Sequence, residues 1–219
     1  GQWKFQDIVE SDRYVVALKT RDSTWIKNDD GSSIITSYEV YGTGSVIQKL
    51  VNEHPSELQF RNYIGCYILS CAHLNKGRLI TVTFFDLNVG NCIVIKEDKS
   101  KDLLLLKTWC LPNTVSIDIG NIPEVETEVC SLGMGSYSTK PPSKNTIRKF
   151  SGTVYPYINE YMYISSPFIH GDSGGSVTQN SKLIGVISGG SEVFNKNLHW
   201  PGRISSTNNI KEFLKDIIE

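Results

Sequence analysis

Short runs of β-branched and apolar residues recur through most of this chain, and Gly, Asn and Asp separate them. Runs at 14–18, 34–41, 43–47, 65–73, 79–85, 92–96 and 103–107 come first, and runs at 129–132, 150–155, 162–165, 176–178, 183–188 and 203–205 come after a linker near 111–114. Segments of this length and residue type, bounded by turn formers, read as strands. An all-β chain is therefore expected, with the first set of strands in one barrel and the second set in another. The division predicts an N-terminal barrel over 1–112 and a C-terminal one over 113–219. Only the last residues change period: Ile210, Phe213, Leu214, Ile217 and Ile218 recur at helical spacing, which predicts a helix over 209–218 with Asn209 and Glu212 as its capping pair. Its expected role is a clamp on the barrels.

The chain has 219 residues, of which 39% are hydrophobic, enough for one compact unit of two barrels of roughly a hundred residues each. A net charge of −1 offers no electrostatic footprint for nucleic acid, and the basic cluster at 96–101 is interrupted by acids. No run approaches the roughly 18 apolar residues of a membrane span, and no charged-then-apolar N-terminal segment suggests a secretory signal. Oligomeric state is not legible.

Five cysteines, at 66, 71, 92, 110 and 130, leave at least one thiol unpaired. Cys66 and Cys71 share one expected strand and are poorly placed to bridge each other. Buried thiols in a reducing compartment, cytoplasmic or equivalent, are the expectation. Zinc is not expected, because there is no C-x-x-C pair and Cys71-Ala72-His73 offers only alternate residues of one strand.

The segment Gly171-Asp172-Ser173-Gly174-Gly175 surrounds one serine hydroxyl with small residues. It satisfies the G-x-S-x-G pattern of a nucleophile elbow, which needs a helix after the serine and an acid and then a histidine further downstream. The serine is succeeded instead by a hairpin pattern, two β-branched runs joined by Asn180-Ser181-Lys182, and downstream Asp216 and His199 stand in the wrong order. Upstream, an apolar run ends at His73, and Asp102 opens the run at 103–107. A base and an orienting carboxylate thus precede the serine in the order His, Asp, Ser.

In this arrangement the chain resembles the chymotrypsin-fold serine proteases, in particular the HtrA-type branch of the trypsin-like enzymes. The resemblance runs over about 40–208 and rests on Gly42-Thr43-Gly44-Ser45, the stretch from Gly65 to His73, Asp102 to Lys107, Gly171 to Gly175, Leu183 to Val186, and Gly202 to Asn208. It implies two six-stranded Greek-key β-barrels with a C-terminal α-helix. It also implies a serine endopeptidase needing no cofactor, with Ser173 as nucleophile, His73 as base and Asp102 holding the imidazole. The N–H groups of Gly171 and Ser173 would form the oxyanion hole. A protease-fold binding or scaffold protein with a closed site is the alternative. No PDZ domain is expected in this chain.

Two further implications concern substrate and activation. The S1 pocket is expected from Pro167, Phe168, His170, Ser188, Gly189, Gly190 and Gly202, with Pro167 where trypsin-type enzymes carry an aspartate and Phe168 narrowing the pocket toward small or medium apolar side chains. The chain ends, Gly1 and Glu219, resemble the products of a viral 3C-like serine main protease excising itself from a polyprotein at Glu–Gly junctions. On that reading His170, Arg203 or Ser188 would meet the acidic side chain, since Ile187 occupies the usual histidine position. In zymogen-activated relatives the aspartate before the nucleophile pairs with a new N-terminal amine; here Asp172 is expected to manage without it, or to cap a local turn. The loop 48–63 is longer than a hairpin needs, the loops 136–148 and 191–200 are expected from the resemblance to border the substrate cleft, and 136–148 is expected to be mobile and to affect turnover.

Overall fold

The structure, a computed structural model, describes residues 8–137, 140–156, 160–189, 193–195, 198–199 and 202–218. Six antiparallel strands close the first barrel: β1 (Val15–Lys27), β2 (Ser33–Leu50), β3 (Ile64–Ser70), β4 (Ile80–Thr83), β5 (Val89–Asp98) and β6 (Leu103–Cys110). Around the barrel the order is β1-β2-β3-β6-β5-β4, and β4 returns to β1. The unbroken leucine run of β6 results from its position. Leu104 and Leu106 join Val16, Leu18, Val46 and Ile68 inside the barrel, while Leu103 and Leu105 face the second sheet and the helix. Alternate residues of a strand point to opposite faces, so a strand with both faces covered must be apolar throughout. Burying each such leucine stabilises the fold by about 1.5–3 kcal/mol.

The second sheet contains β7 (Glu128–Gly133), β8 (Arg148–Thr153), β9 (Tyr161–Ile164), β10 (Ser176–Gln179), β11 (Lys182–Gly189) and β14 (Gly202–Ser205), in the order β8-β7-β10-β11-β14-β9. Its edges approach through a bridge between Val154 and Ile164, so the sheet curls into a half-barrel. Between β11 and β14, β12 (Val193–Asn195) and β13 (Leu198–His199) pair as a separate short hairpin. A third apolar cluster, including Val129, Met162, Phe168, Val177 and Ile204, fills the concave side.

Three expectations need correction. The runs 34–41 and 43–47 belong to one strand, because Gly42 and Gly44 lie inside β2 rather than ending it; a Cβ at Gly44 would stand 2.7 Å from Ile68 Cγ2. The run 65–73 is a strand only to Ser70, and His73 sits on a 3-10 turn, Ala72–Leu74. The helix, α1, spans Thr207–Leu214 and is capped by Ser206, whose Oγ accepts from the Asn209 N–H at 3.3 Å. Ser206 holds the extended backbone that a cap requires. Asn209 instead points its amide at Glu160 O and Ser205 Oγ, so it ties the helix to the sheet. Lys96 of β5 donates to Phe213 O at 2.8 Å near the helix end, where a cation is favoured.

The outer half of the β1–β2 hairpin projects beyond the barrel. Arg21 to Lys27 pairs only with Ser33 to Glu39, and Trp25 and Ile35 lie exposed across from each other. All five cysteines are free thiols, four of them buried. Among the described residues no helix is long and apolar enough to cross a membrane.

Candidate active site

The turn after β3 and the turn before β6 meet at His73 and Asp102. Asp102 has φ 52°, a left-handed conformation that aspartate tolerates better than most residues, and its carboxylate is buried. One oxygen, Oδ1, accepts the His73 backbone N–H at 2.9 Å, a group that the 3-10 turn leaves unpaired. The other, Oδ2, accepts from His73 Nδ1 at 2.8 Å and from Ser188 Oγ at 2.6 Å. A carboxylate only accepts, so the Nδ1 nitrogen carries hydrogen and Nε2 is the ring nitrogen left to other partners.

Charge is set by these contacts. The bond to Asp102, helped by Cys71 and opposed by burial, pushes the His73 imidazole up to about 10. Burial acts to raise Asp102, but the hydrogen bonds from His73 and Ser188 outweigh it and hold the carboxyl below its ordinary range. Cys71 Sγ lies 3.7 Å from His73 Nε2. Cys71, His73 and Asp102 offer ligand atoms within 4.8 Å of one another. The carboxylate and the thiol, however, approach opposite nitrogens of the ring, so the three do not converge on one ion.

Across the cleft, the loop between β9 and β10 presents Ser173. Gly171 has φ +93°, and a Cβ there would stand 1.9 Å from Gly135 O; only glycine fits. Gly174, at φ +87°, lies against Ser70 Oγ and Thr43 O. The Thr43 N–H donates to Ser173 O at 2.9 Å and Thr43 Oγ1 donates to Gly171 O at 2.7 Å, so the Gly42-Thr43-Gly44 segment of β2 fastens this loop to the first barrel. Among the described residues, the N–H groups of Gly171 and Ser173 donate to no protein acceptor. They stay available to an oxyanion.

Asp172 both caps a turn and forms an ion pair. Its Oδ2 accepts the Ile169 N–H at 2.9 Å and pairs with Arg148 Nη1 from the start of β8. Arg148 also donates to Pro167 O at 3.1 Å. Burial raises the Asp172 carboxyl above its usual range, with Ile169 N–H and Arg148 opposing. The cation paired with Asp172 is thus an internal arginine, at the end of the expected loop 136–148.

His73 and Ser173 line two adjoining cavities. One, of about 500 Å³, is walled by Tyr38, Val40, Tyr41 and Leu74. The other, of about 730 Å³, is walled by Phe168, His170, Ser188 and Gly189, together with Lys99, Tyr161 and Arg203. Of the expected pocket residues, Pro167 is exposed and does not line this cavity, and Gly202 lies behind it: a Cβ on Gly202 would stand 2.2 Å from Phe168 Cε2. The Phe168 ring therefore occupies the floor, and the cavity is shallow there. Gly190 lies outside the described residues, as does much of the loop 191–200. In the loop 136–148, Ser143 and Thr146 form a buried turn, with Ser143 N–H donating to Thr146 Oγ1 at 2.8 Å. Lys99 and Tyr161 were missed because each is an isolated polar residue in a turn or on a strand edge, with no pattern to mark it.

A closed six-stranded barrel beside a curled six-stranded half-barrel, with the cleft between them and one C-terminal helix, is a chymotrypsin-like fold. Among solved structures the chain is similar to a serine endoprotease from Yersinia pestis, with a TM-score of 0.64 and 14% identity over 94% of this chain. The match covers 63% of that neighbour's chain, so this sequence spans under two thirds of its length. At this identity the likeness is one of fold. No family model matches the sequence, and no curated protein does.

Proposed function

We propose that this chain is a serine endopeptidase in which Ser173 attacks the peptide carbonyl, His73 takes and returns the proton, and Asp102 holds the imidazole. The observation that carries this reading is the doubly anchored pair: Asp102 grips His73 through Nδ1 at 2.8 Å and through the backbone N–H at 2.9 Å, opposite Ser173 in one cleft. Held this way, Nε2 is the nitrogen left for proton transfer, and the carboxylate stabilises the imidazolium that forms. The Gly171 and Ser173 N–H groups supply donors where charge develops in the tetrahedral intermediate. The resemblance of residues 40–208 to the HtrA-type branch and the solved endoprotease of the same fold support the reading.

One observation favours a second reading, a protease fold at rest with a closed site. His73 Nε2 stands beside Cys71 Sγ, and among the described residues Ser173 Oγ has no hydrogen bond to it. Nucleophile–base bonds are often long or poorly aligned without substrate and tighten only when it binds, so the enzyme reading stands beside this one. A fluorophosphonate probe separates the two. An active enzyme is labelled at Ser173, and Ser173→Ala abolishes labelling and peptide hydrolysis together. Failure of the intact protein to label at any pH between 6 and 10 overturns the enzyme reading in favour of the scaffold.

A further inference from the structure

The larger cavity carries two cations that come from elements other than the serine loop. Lys99 and Arg203 line it, with His170 three residues before the nucleophile, and among the described residues that line it Asp102 is the one carboxylate. Both Asp102 oxygens already accept hydrogen bonds from His73 and Ser188. Asp98, on the same turn as Lys99, is occupied by Ser100 Oγ at 2.7 Å and Lys101 Nζ at 3.5 Å.

Lys99 and Arg203 come from different sheets, and two hydrogen bonds bring their supports together. Tyr161 OH donates to Ser100 O at 2.5 Å, and Ser205 Oγ donates to Lys101 O at 2.7 Å, so the turn carrying Lys99 is pinned on both sides to β9 and β14. The Arg203 guanidinium lies over the Tyr161 ring at 5.1 Å, a stacking contact that leaves its N–H edge free. Among the described residues no carboxylate pairs with Arg203 or Lys99. Opposite Arg203 in the ladder stands Gly189, and a Cβ there would meet the guanidinium at 3.4 Å; without one, the arginine stays uncovered beside the cleft.

Strand β11 offers the ligand a route. Its pairing with β10 stops at Ser176 and Val186, after which Ile187 bonds to Gly174 and Gly175, and Ser188–Gly189 runs on along the cleft. A peptide laid beside that segment as an added strand carries alternate side chains over the cavity.

We propose that the Lys99–Tyr161–Arg203 cluster is a subsite for a carboxylate side chain, a Glu or Asp of the peptide on the side of the scissile bond that runs along Ser188–Gly189. The cluster lines the same cavity as Phe168 but is contributed by β9, β14 and the turn before β6 rather than by the serine loop, so it selects a position further along the peptide than the bond being cut. Two unpaired cations in a partly enclosed cavity attract a carboxylate more strongly than scattered surface charges do, and the attraction weakens with salt. For cleavage the inference rests on the serine endopeptidase reading; for binding it does not.

Cleavage and binding are measured side by side. Peptides carrying a single Glu, moved one position at a time, are compared with their Gln counterparts by kcat/KM on the intact protein and by calorimetric binding to Ser173→Ala. One position is expected to favour Glu by about tenfold in both assays. Arg203→Gln and Lys99→Gln each remove most of that preference, 0.5 M salt reduces it, and Lys182→Gln, a distant surface charge, leaves it intact. Cleavage with no Glu preference at any position, or a preference that survives Arg203→Gln, overturns the subsite while sparing the protease. Arg203-dependent binding of the Glu peptide without cleavage upholds the subsite and removes the protease reading. Neither binding nor cleavage removes both.

Discussion

The two banks of the cleft hold their reactive groups by different physical means. On the first barrel, His73 and Asp102 are positioned by side-chain hydrogen bonds, three of which converge on one carboxylate. On the second sheet, Ser173 is positioned by backbone shape, through glycines at φ +93° and +87°, and by the buried Asp172 carboxylate beside them, paired with the half-buried Arg148. A side-chain bank degrades in steps as bonds are removed. A backbone bank fails sharply, because one added methyl meets a carbonyl that cannot move aside.

The largest expected effect breaks the first bank at its centre. On the endopeptidase reading, Asp102→Asn should lower kcat by about 10⁴-fold by favouring the wrong imidazole tautomer, with the fold intact by circular dichroism. Next, Gly171→Ala should cut kcat by about 10²–10³-fold, since its Cβ would displace the peptide that supplies an oxyanion donor. A melting temperature lowered more in Gly171→Ala than in Asp102→Asn would confirm the contrast between the banks; equal losses would erase it.

Arg148→Ala should cost about 3–5 kcal/mol, because it leaves a buried carboxylate unpaired. For a chain of this size that is a fall in Tm of about 10 °C by calorimetry. Adding Asp172→Asn should restore a good part of the loss; no recovery would mean that the two side chains act separately.

The pH dependence tests the first bank more gently. His73 is raised from its ordinary 6.5 to about 10, so the folded state binds its proton more tightly. Stability from this contact is complete below pH 6.5 and is lost as pH rises through about 10. As a base, His73 must be neutral, so kcat/KM should climb across that same interval. Cys71→Ala removes the smaller of the two hydrogen bonds that raise the imidazole and should move the midpoint down, read by an NMR titration of the ring. The smallest effect lies away from both banks: Ser206→Ala should cost about 1 kcal/mol by urea unfolding, with kcat unchanged.

Much of the fold was legible because β-branched runs between turn formers are local signals, and β3, β6, β10 and β11 all stand close to where those runs stand. Gly42 misled for a physical reason. Glycine ordinarily weakens a strand, but here it admits the Leu74 side chain and the Ser173 carbonyl against the backbone of β2. In the site, the His73, Asp102 and Ser173 motifs carry their own neighbours and can be read one at a time. The Arg148–Asp172 pair spans 24 positions and the Tyr161–Ser100 bond spans 61, and neither leaves a mark in local sequence. Phe168 and Pro167 are adjacent in sequence yet part company in space: the ring floors the cavity, whereas the proline faces solvent and is no floor at all.

The cation that holds Asp172 belongs to β8, an outermost strand of the second sheet, which among the described residues has β7 as its one ladder partner and meets the far edge only at Thr153. Outermost strands open more readily than interior ones. Warming should therefore loosen Arg148 from the serine loop while the barrels are still closed, so that, on the endopeptidase reading, activity is lost a few degrees before the chain unfolds and returns on cooling. Thermal inactivation and melting become two events in this molecule, with the first governed by a single strand.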